Sequence, residues 1–382
     1  MTTDVERLAA AAAALERRGI RRVEAYAWRD LDDPEAGGSE LHAEEIFRRW
    51  ASVGIEVHLR TSTLDDARSF DRSGYRVTQR GGRFDVFARV AARQSLRRRP
   101  ADTATIEIWN GVPWFGPIWA PRRRVVWLHH VHREMWADVL PRLLAAAGRW
   151  TETRFAPLIY RRSRFATLSE SSAAEIREMG IPDANLGIIP PGVDDRFTPD
   201  ESMRNETPLV VVVGRLAPVK RHRWALAAVE QARREQPNLT VEVLGEGPER
   251  PGIEAWIRDH DADGWVTLRG RVTDDELLDA YRRAWVVLSA SHAEGWGMSL
   301  SEGNACGTPS VASDIAGHRC AVVDGRSGVL AGESELGTAL ADLLGDDERR
   351  AMMSAAGVDL ARQLSWTSVA AQHLELLVEA CD

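Results

Sequence analysis

Short β-branched runs alternate with amphipathic helical stretches along almost the whole chain, and this alternation constrains the fold more than any other feature. A strand, a covering helix and a second parallel strand bury a sheet on both faces, so the pattern predicts doubly wound α/β domains. In the first half the expected strands are 23–28, 55–61, 105–109, 125–129, 165–169 and 187–190, with helices at 40–52, 84–98, 140–162 and 170–179. A polar, charge-rich break over 194–207 follows Pro190-Pro191-Gly192. The alternation then restarts, with strands at 209–213, 240–244, 266–269, 286–290 and 310–313 and helices at 221–235, 253–259, 274–283 and 298–306. Helices at 333–344, 347–363 and 367–379 close the chain. The expected organisation is a domain over 1–195, a second over 196–365, and a C-terminal helix within 366–382 able to pack back on the first. One hydrophobic core does not serve 382 residues, which agrees with the division. Two such domains in tandem set the carboxyl ends of both sheets across a cleft, where ligands bind in this architecture.

Composition narrows the function. A formal net charge of −8 argues against a nucleic-acid partner, and it divides into +3 for residues 1–195 and −11 for the remainder. Cys306, Cys320 and Cys381 have neither paired spacing nor a histidine cluster, which argues against a disulfide framework or structural zinc and for a reducing, cytoplasmic setting. Residues 8–15 form an apolar run between Glu6 and Glu16, the pattern of an alanine-rich helix, and no run approaches the roughly 18 residues of a membrane span. Of the 49 basic residues one alone is lysine, Lys220. A compact ammonium retained among so many guanidinium groups marks a position where the two are not interchangeable.

Three loops carry candidate chemistry. Gly37-Gly38-Ser39-Glu40 follows a strand and opens a helix, where free N–H groups and the helix dipole attract phosphate; Ser39 would also serve there as the helix N-cap. Gly214-Arg215 through Lys220 follows the apolar run 209–213, and two cations at the carboxyl end of a strand suit a diphosphate. The third string runs Glu294-Gly295-Trp296-Gly297-Met298-Ser299-Leu300-Ser301-Glu302. Its glycines leave N–H groups open to sugar hydroxyls or phosphate oxygens, and its two carboxylates can each accept two hydrogen bonds from a vicinal diol.

Together with Gly245-Glu246-Gly247-Pro248, Gly270-Arg271-Val272 and 188–194, these strings resemble the family-four retaining glycosyltransferases. The resemblance implies an α/β GT-B fold, two Rossmann-like parallel-sheet domains facing across a cleft, with the acceptor held mainly by the first and a nucleotide-sugar donor mainly by the second. It implies a cytoplasmic, bacterial hexosyltransferase acting without metal or resident cofactor on a UDP-, GDP- or dTDP-sugar, by front-face displacement onto a natural product, saccharide or lipid-linked hydroxyl. Peripheral contact with the inner membrane face is compatible with it. By the same resemblance Glu302 binds the nucleotide ribose, Glu294 the donor sugar, Arg215 and Lys220 the diphosphate, and Arg271-Val272 the base. Gly295, Trp296, Gly297, Met298 and Ser299 line the donor, and Gly37, Gly38 and Ser39 approach it from the first domain. The family's first-domain histidine falls on His129, directly after the apolar run 125–128, with His130 and His132 as competitors nearer the acceptor. The chain departs from the family pattern at Trp296, usually phenylalanine, and at Gly303-Asn304, usually alanine-methionine. A nucleotide-sugar epimerase, or a binding protein that has lost transfer, remains the alternative.

Two features of the first half bear on the acceptor. Trp109, Trp114, Trp119, Trp127, Trp136 and Trp150 cluster within about forty residues, as an aromatic acceptor wall or as core, and Trp109 and Trp114 are the acceptor candidates. Arg122-Arg123-Arg124 and the stretch 142–164 mix arginine with leucine, tryptophan and phenylalanine. A helix packed on the sheet under a solvated arginine face is favoured there over one lying on an anionic membrane.

Overall fold

A computed structural model describes residues 3–96, 100–120, 123–133, 136 and 141–381. Arg98 and Leu140, which bound two expected helices, and Arg122 of the arginine triplet lie outside the described residues. The chain forms two compact units, Met1–Gly192 with Trp366–Asp382, and Val193–Ser365.

Unit 1 is built on strands β1 (Arg22–Tyr26), β2 (Glu56–Thr61), β3 (Arg68–Arg72), β4 (Tyr75–Gln79), β5 (Thr103–Ile108), β6 (Arg124–Trp127), β7 (Arg164–Thr167) and β8 (Leu186–Ile188). Their order is β3-β4-β2-β1-β5-β6-β7-β8, parallel except for the β3–β4 hairpin. Progression reverses between β1 and β5, so the loops after these two strands diverge and open a crevice at their carboxyl ends. The C-terminal helix Trp366–Glu379 belongs to this unit: Trp50 donates its indole N–H to the Ala370 carbonyl at 2.9 Å, and Arg7 pairs with Glu375 at 2.6 Å.

Unit 2 carries β9 (Leu209–Val213), β10 (Thr240–Leu244), β11 (Val266–Gly270), β12 (Val286–Ser289), β13 (Ser310–Ser313) and β14 (Gly328–Ala331), all parallel, in the order β11-β10-β9-β12-β13-β14. The central strands β9 and β12 are nearly continuous runs of buried valine and leucine, as a sheet covered on both faces requires. Here the reversal falls between β9 and β12, the strands that lead into the two charged loops of the second half.

The basic stretch of unit 1 departs from expectation. It is a helix Arg142–Trp150, a π-turn Thr151–Phe155 and a helix Ala156–Tyr160, and Leu143, Leu144, Trp150 and Leu158 face solvent instead of packing on the sheet. The inward positions are taken by the smaller or polar Ala145, Glu152, Ala156 and Tyr160.

Candidate functional site

In unit 2 the chain leaves β9 at Gly214, whose φ of 151° suits glycine, and passes through Arg215 into a 3₁₀ turn Pro218–Lys220. The loop after β12 comes alongside: the His292 amide donates to the Val219 carbonyl at 2.8 Å. Between them Lys220 forms an ion pair with Glu294, whose Oε1 also accepts from the Ser291 hydroxyl at 2.7 Å. Burial alone would raise the Glu294 carboxyl. The Lys220 charge and hydrogen bond, with His318 and Ser291, bring it below the ordinary glutamate range, so it stays ionised. Arg215 stands exposed at the mouth of the same strand.

The second glutamate is held differently. Gly297, at φ 119°, caps the helix Met298–Ala305, and Glu302 lies a turn inside it. The buried Tyr281 donates its hydroxyl to Glu302 Oε2 at 2.8 Å. Burial raises the Glu302 carboxyl, against the opposing pull of the Tyr281 bond and Arg196. Trp296 is buried with its indole N–H on the Ser301 hydroxyl at 3.0 Å, so it braces the first turn of this helix. The Gly303-Asn304 pair is explained by packing. A Cβ on Gly303 would stand 2.4 Å from Val287 on β12, and Asn304 is accommodated because Gly357 has no side chain to meet it. Arg271 is exposed and Val272 half-buried just beyond β11, at the same sheet edge.

In unit 1 the glycine loop opens the helix Gly38–Ser52 with Gly37 as N-cap. Ser39 is therefore the second helical residue and not the cap; Glu40 takes the capping role by accepting from the Gly37 amide at 2.8 Å, and Ser39 accepts from Asn110 at 3.2 Å. That contact joins the loops after β1 and β5, at the reversal of strand order. His129, just past β6, is buried against His42 with ring centroids 4.8 Å apart, and burial brings its pKa down to about 3. His130 and His132 stack at 4.7 Å, and the His132 amide donates to the buried Glu152 at 3.0 Å. Trp109 and Trp114 present no open wall. Both are buried with their indole N–H groups on backbone carbonyls of Gly111 and Ile108, and Trp119, Trp127 and Trp136 are core as well.

A cavity of about 350 Å³ opens between the carboxyl ends of β2 and β4 and the helix Asp85–Ser95. Arg60, Arg80, Arg89 and Arg93 line it with Thr61 and Thr78; Arg60 is paired with Glu24 at 2.6 Å and Arg89 with Asp85 at 2.5 Å, both carboxylates lying outside the lining. The Thr61 hydroxyl is buried without a hydrogen-bond partner. Among the described residues no group of histidine, cysteine, aspartate and glutamate is arranged to hold a metal ion.

Sequence reasoning missed three side chains that shape these sites. Tyr281 sets Glu302, and no motif marks it. His318 donates from Nδ1 to the Ser313 carbonyl at 2.8 Å and, as a neutral ring, accepts at Nε2 from Ser289 at 3.3 Å. Its signal was the adjacent Gly317, where a Cβ would stand 2.2 Å from the Glu294 carbonyl oxygen. His42 is the third, four residues after Gly38 on the helix that the glycine loop opens.

Residues 36–197 match the family described as Glycosyltransferase Family 4, and residues 194–359 match Glycosyl transferases group 1. The GDP-mannose-dependent alpha-(1-6)-phosphatidylinositol monomannoside mannosyltransferase of Mycolicibacterium smegmatis is 28% identical over 90% of this chain and 95% of its own. D-inositol 3-phosphate glycosyltransferase of Thermobispora bispora is 26% identical over 97% of each chain. The solved structure of sucrose-phosphate synthase from Thermosynechococcus elongatus matches with a TM-score of 0.77 at 19% identity, covering 92% of this chain and 97% of that one. The shared architecture is GT-B, two Rossmann-like parallel-sheet domains.

Proposed function

Since the chain belongs to the family-four glycosyltransferases of GT-B fold, enzymes that transfer a sugar from a nucleotide-sugar donor, we propose that it transfers a hexose with retention of configuration to a phosphorylated polyol or lipid acceptor. The observation that carries the reading is the Lys220–Glu294 pair at the strand-order reversal of unit 2, with Glu302 held by Tyr281 nearby. In this reading Glu302 accepts from the ribose hydroxyls and Glu294 from the hexose. Arg215 and Lys220 face the diphosphate, and the backbone at Arg271-Val272 meets the base. The N–H groups from Gly295 to Ser299 approach the sugar. Unit 1 offers the acceptor site, while its loop Gly37-Gly38-Ser39 and His129 keep the donor-side roles that the family resemblance implies.

The step balances without a protein nucleophile. The bond between the anomeric carbon and the phosphate oxygen breaks, the acceptor oxygen bonds to the same face of that carbon, and the acceptor proton passes to the departing phosphate. Fixed cations aimed at the developing phosphate charge stabilise this transition state, and Arg215 and Lys220 would supply them without a metal. GDP-mannose is the first donor to test, because the M. smegmatis relative is named for it. An anionic acceptor group is supported by the arginine-lined cavity, and the acceptors named for both relatives are inositol phosphates or their lipids. Nucleotide-sugar supply puts the reaction in the cytoplasm.

The deciding experiment is a thermal-shift screen with GDP, UDP and dTDP, with and without EDTA, followed by NMR of the product formed from the matching sugar. One diphosphate should raise the melting temperature equally in both conditions, and the product should keep the donor's anomeric configuration. An inverted product would overturn retention. No shift with any diphosphate would overturn the donor site.

A further inference from the structure

The segment from Arg142 to Tyr160 carries its large apolar side chains outward. Leu143 is 87% exposed, Leu158 69% and Trp150 58%, and Leu144 and Phe155 are exposed beside them. The Trp150 and Phe155 rings stack with centroids 5.8 Å apart, and Phe155 meets Phe115 at 5.9 Å, which joins the segment to the short helix holding the exposed Ile118. Of the fourteen large apolar side chains exposed among the described residues, these six belong to one segment and its neighbour. Concentrated exposure of this kind marks a surface that something covers in use.

Charge says what covers it. Arg142, Arg149, Arg154, Arg161 and Arg162 are all exposed. The one acidic residue between 141 and 162 is Glu152, and it is fully buried, accepting from the His132 amide at 3.0 Å, the Arg133 amide at 3.1 Å and the Trp136 indole at 2.9 Å. The outer face is thus cationic and apolar with no negative charge of its own. The inner face is anchored by Glu152, by the Tyr160 hydroxyl on Glu107 at 2.6 Å, and by Gly148, where a Cβ would stand 2.9 Å from the Trp136 ring. A helix anchored on one side, with leucine, tryptophan and arginine on the other, has the composition that settles at the boundary between lipid headgroups and acyl chains. A protein groove would have to match both the apolar rings and five unpaired-sign charges, whereas an anionic bilayer matches both by its nature.

We infer that this face docks unit 1 on an anionic lipid bilayer, with Leu143, Leu144, Trp150 and Leu158 entering the headgroup boundary and the arginines pairing with lipid phosphates. The inference rests on the surface of unit 1 and is independent of the donor assignment. Each arginine near such a surface strengthens partition roughly fivefold, and the gain fades beyond a Debye length of about 10 Å at 0.1 M salt.

The test is co-sedimentation of the full chain with vesicles of phosphatidylcholine alone or mixed with phosphatidylglycerol, at low and high salt. The chain should bind the mixed vesicles at low salt, bind plain phosphatidylcholine far more weakly, and release with salt. Leu143→Ser with Leu144→Ser, and separately Arg149→Glu with Arg154→Glu, should each weaken binding at least about tenfold. Because all four side chains are exposed, both variants should keep the melting temperature and, if the donor site is as proposed, its shift with the diphosphate. A chain that stays in the supernatant with mixed vesicles overturns the inference, and so does undiminished binding by both variants. A dimer that the leucine substitutions dissociate, without vesicle binding, would assign the face to a second copy and overturn it as well.

Discussion

Lys220 is the sole lysine among 49 basic residues, and it forms an ion pair with Glu294, a contact between the two charged loops that the sequence did not announce. The ammonium lies at the end of a tight turn over Gly214, where a Cβ would stand 3.5 Å from its Cε, a space that suits a slim chain better than a guanidinium fork. Removing it has two separable effects. Lys220→Ala leaves the largely buried Glu294 carboxylate without its cation. Breaking a buried pair costs about 3–5 kcal/mol, so a pair that keeps some solvent contact should lose about 2 kcal/mol on chemical denaturation. Turnover should fall about 10²–10³-fold if the cation also faces the leaving phosphate. Adding Glu294→Gln to Lys220→Ala should restore most of the stability and none of the turnover. Recovery of both would make the pair a structural contact and nothing more.

At the scale of elements, the sites depend on loops that glycine lets approach one another. Gly317 precedes His318 in the turn after β13, with no room for a Cβ against the Glu294 carbonyl. Gly317→Ala should push the Glu294 loop away from Lys220. Donor affinity should drop about tenfold or more, and the melting temperature should fall with it, since Gly317 and His318 are buried and the clash is with backbone. Unchanged nucleotide affinity in calorimetry would mean that the loop's position is immaterial. Most of the elements behind these loops were legible, because buried parallel strands such as Leu209–Val213 and Val286–Ser289 write themselves as short apolar runs between turns. The β3–β4 hairpin was not. Its strands are charged and partly exposed, and its signal was the Ser73-Gly74 pair, both at positive φ, in a two-residue turn. β14 was missed as a four-residue edge strand beginning at Gly328, where a Cβ would stand 2.6 Å from the Ser310 carbonyl oxygen. In the site, charged loop residues could be read because their types imply chemistry. Tyr281 and His42 could not, since a buried aromatic residue on a helix looks like core until the fold shows what it touches. Five of the six clustered tryptophans went to the core, the reading that competed with an acceptor wall, and Trp150 faces outward.

At the scale of the molecule, neutral histidines are distributed unevenly between the units. Unit 1 buries His42, His129 and His373 in one cluster, with His42 5.1 Å from His373 and Trp127 4.6 Å from His373 by ring centroids. Burial lowers all three, to about 3 for His129 and His373 and well below the ordinary range for His42. His132 is lowered by burial to about 3 and His58 to about 4, the latter helped by Arg60, Arg76 and Arg93. Unit 2 has His222, brought by burial to about 4, and a smaller depression at His318. The sign follows from linkage. Below pH 6.5 the unfolded chain binds protons that these folded histidines refuse, so their contribution is intact above 6.5 and is lost as pH falls toward 3–4, at about 1.4 kcal/mol per pH unit for each. Asp30 and Glu152, whose carboxyl pKa values burial raises, take up protons in the folded state and oppose this trend only near the carboxylate range. Between pH 6.5 and 5 unit 1 should therefore weaken faster than unit 2. Hydrogen exchange corrected for intrinsic rates should show protection falling in β1, β5 and β6 before β9 and β12. Replacing His373 by phenylalanine, which keeps the aromatic packing against Trp127, should flatten the acid slope of unit 1 by about one proton's worth. Equal loss of protection in both units, or a slope that His373→Phe leaves untouched, would mean that the cluster already binds protons in the folded state, and the neutral-histidine account of the core would fall with it.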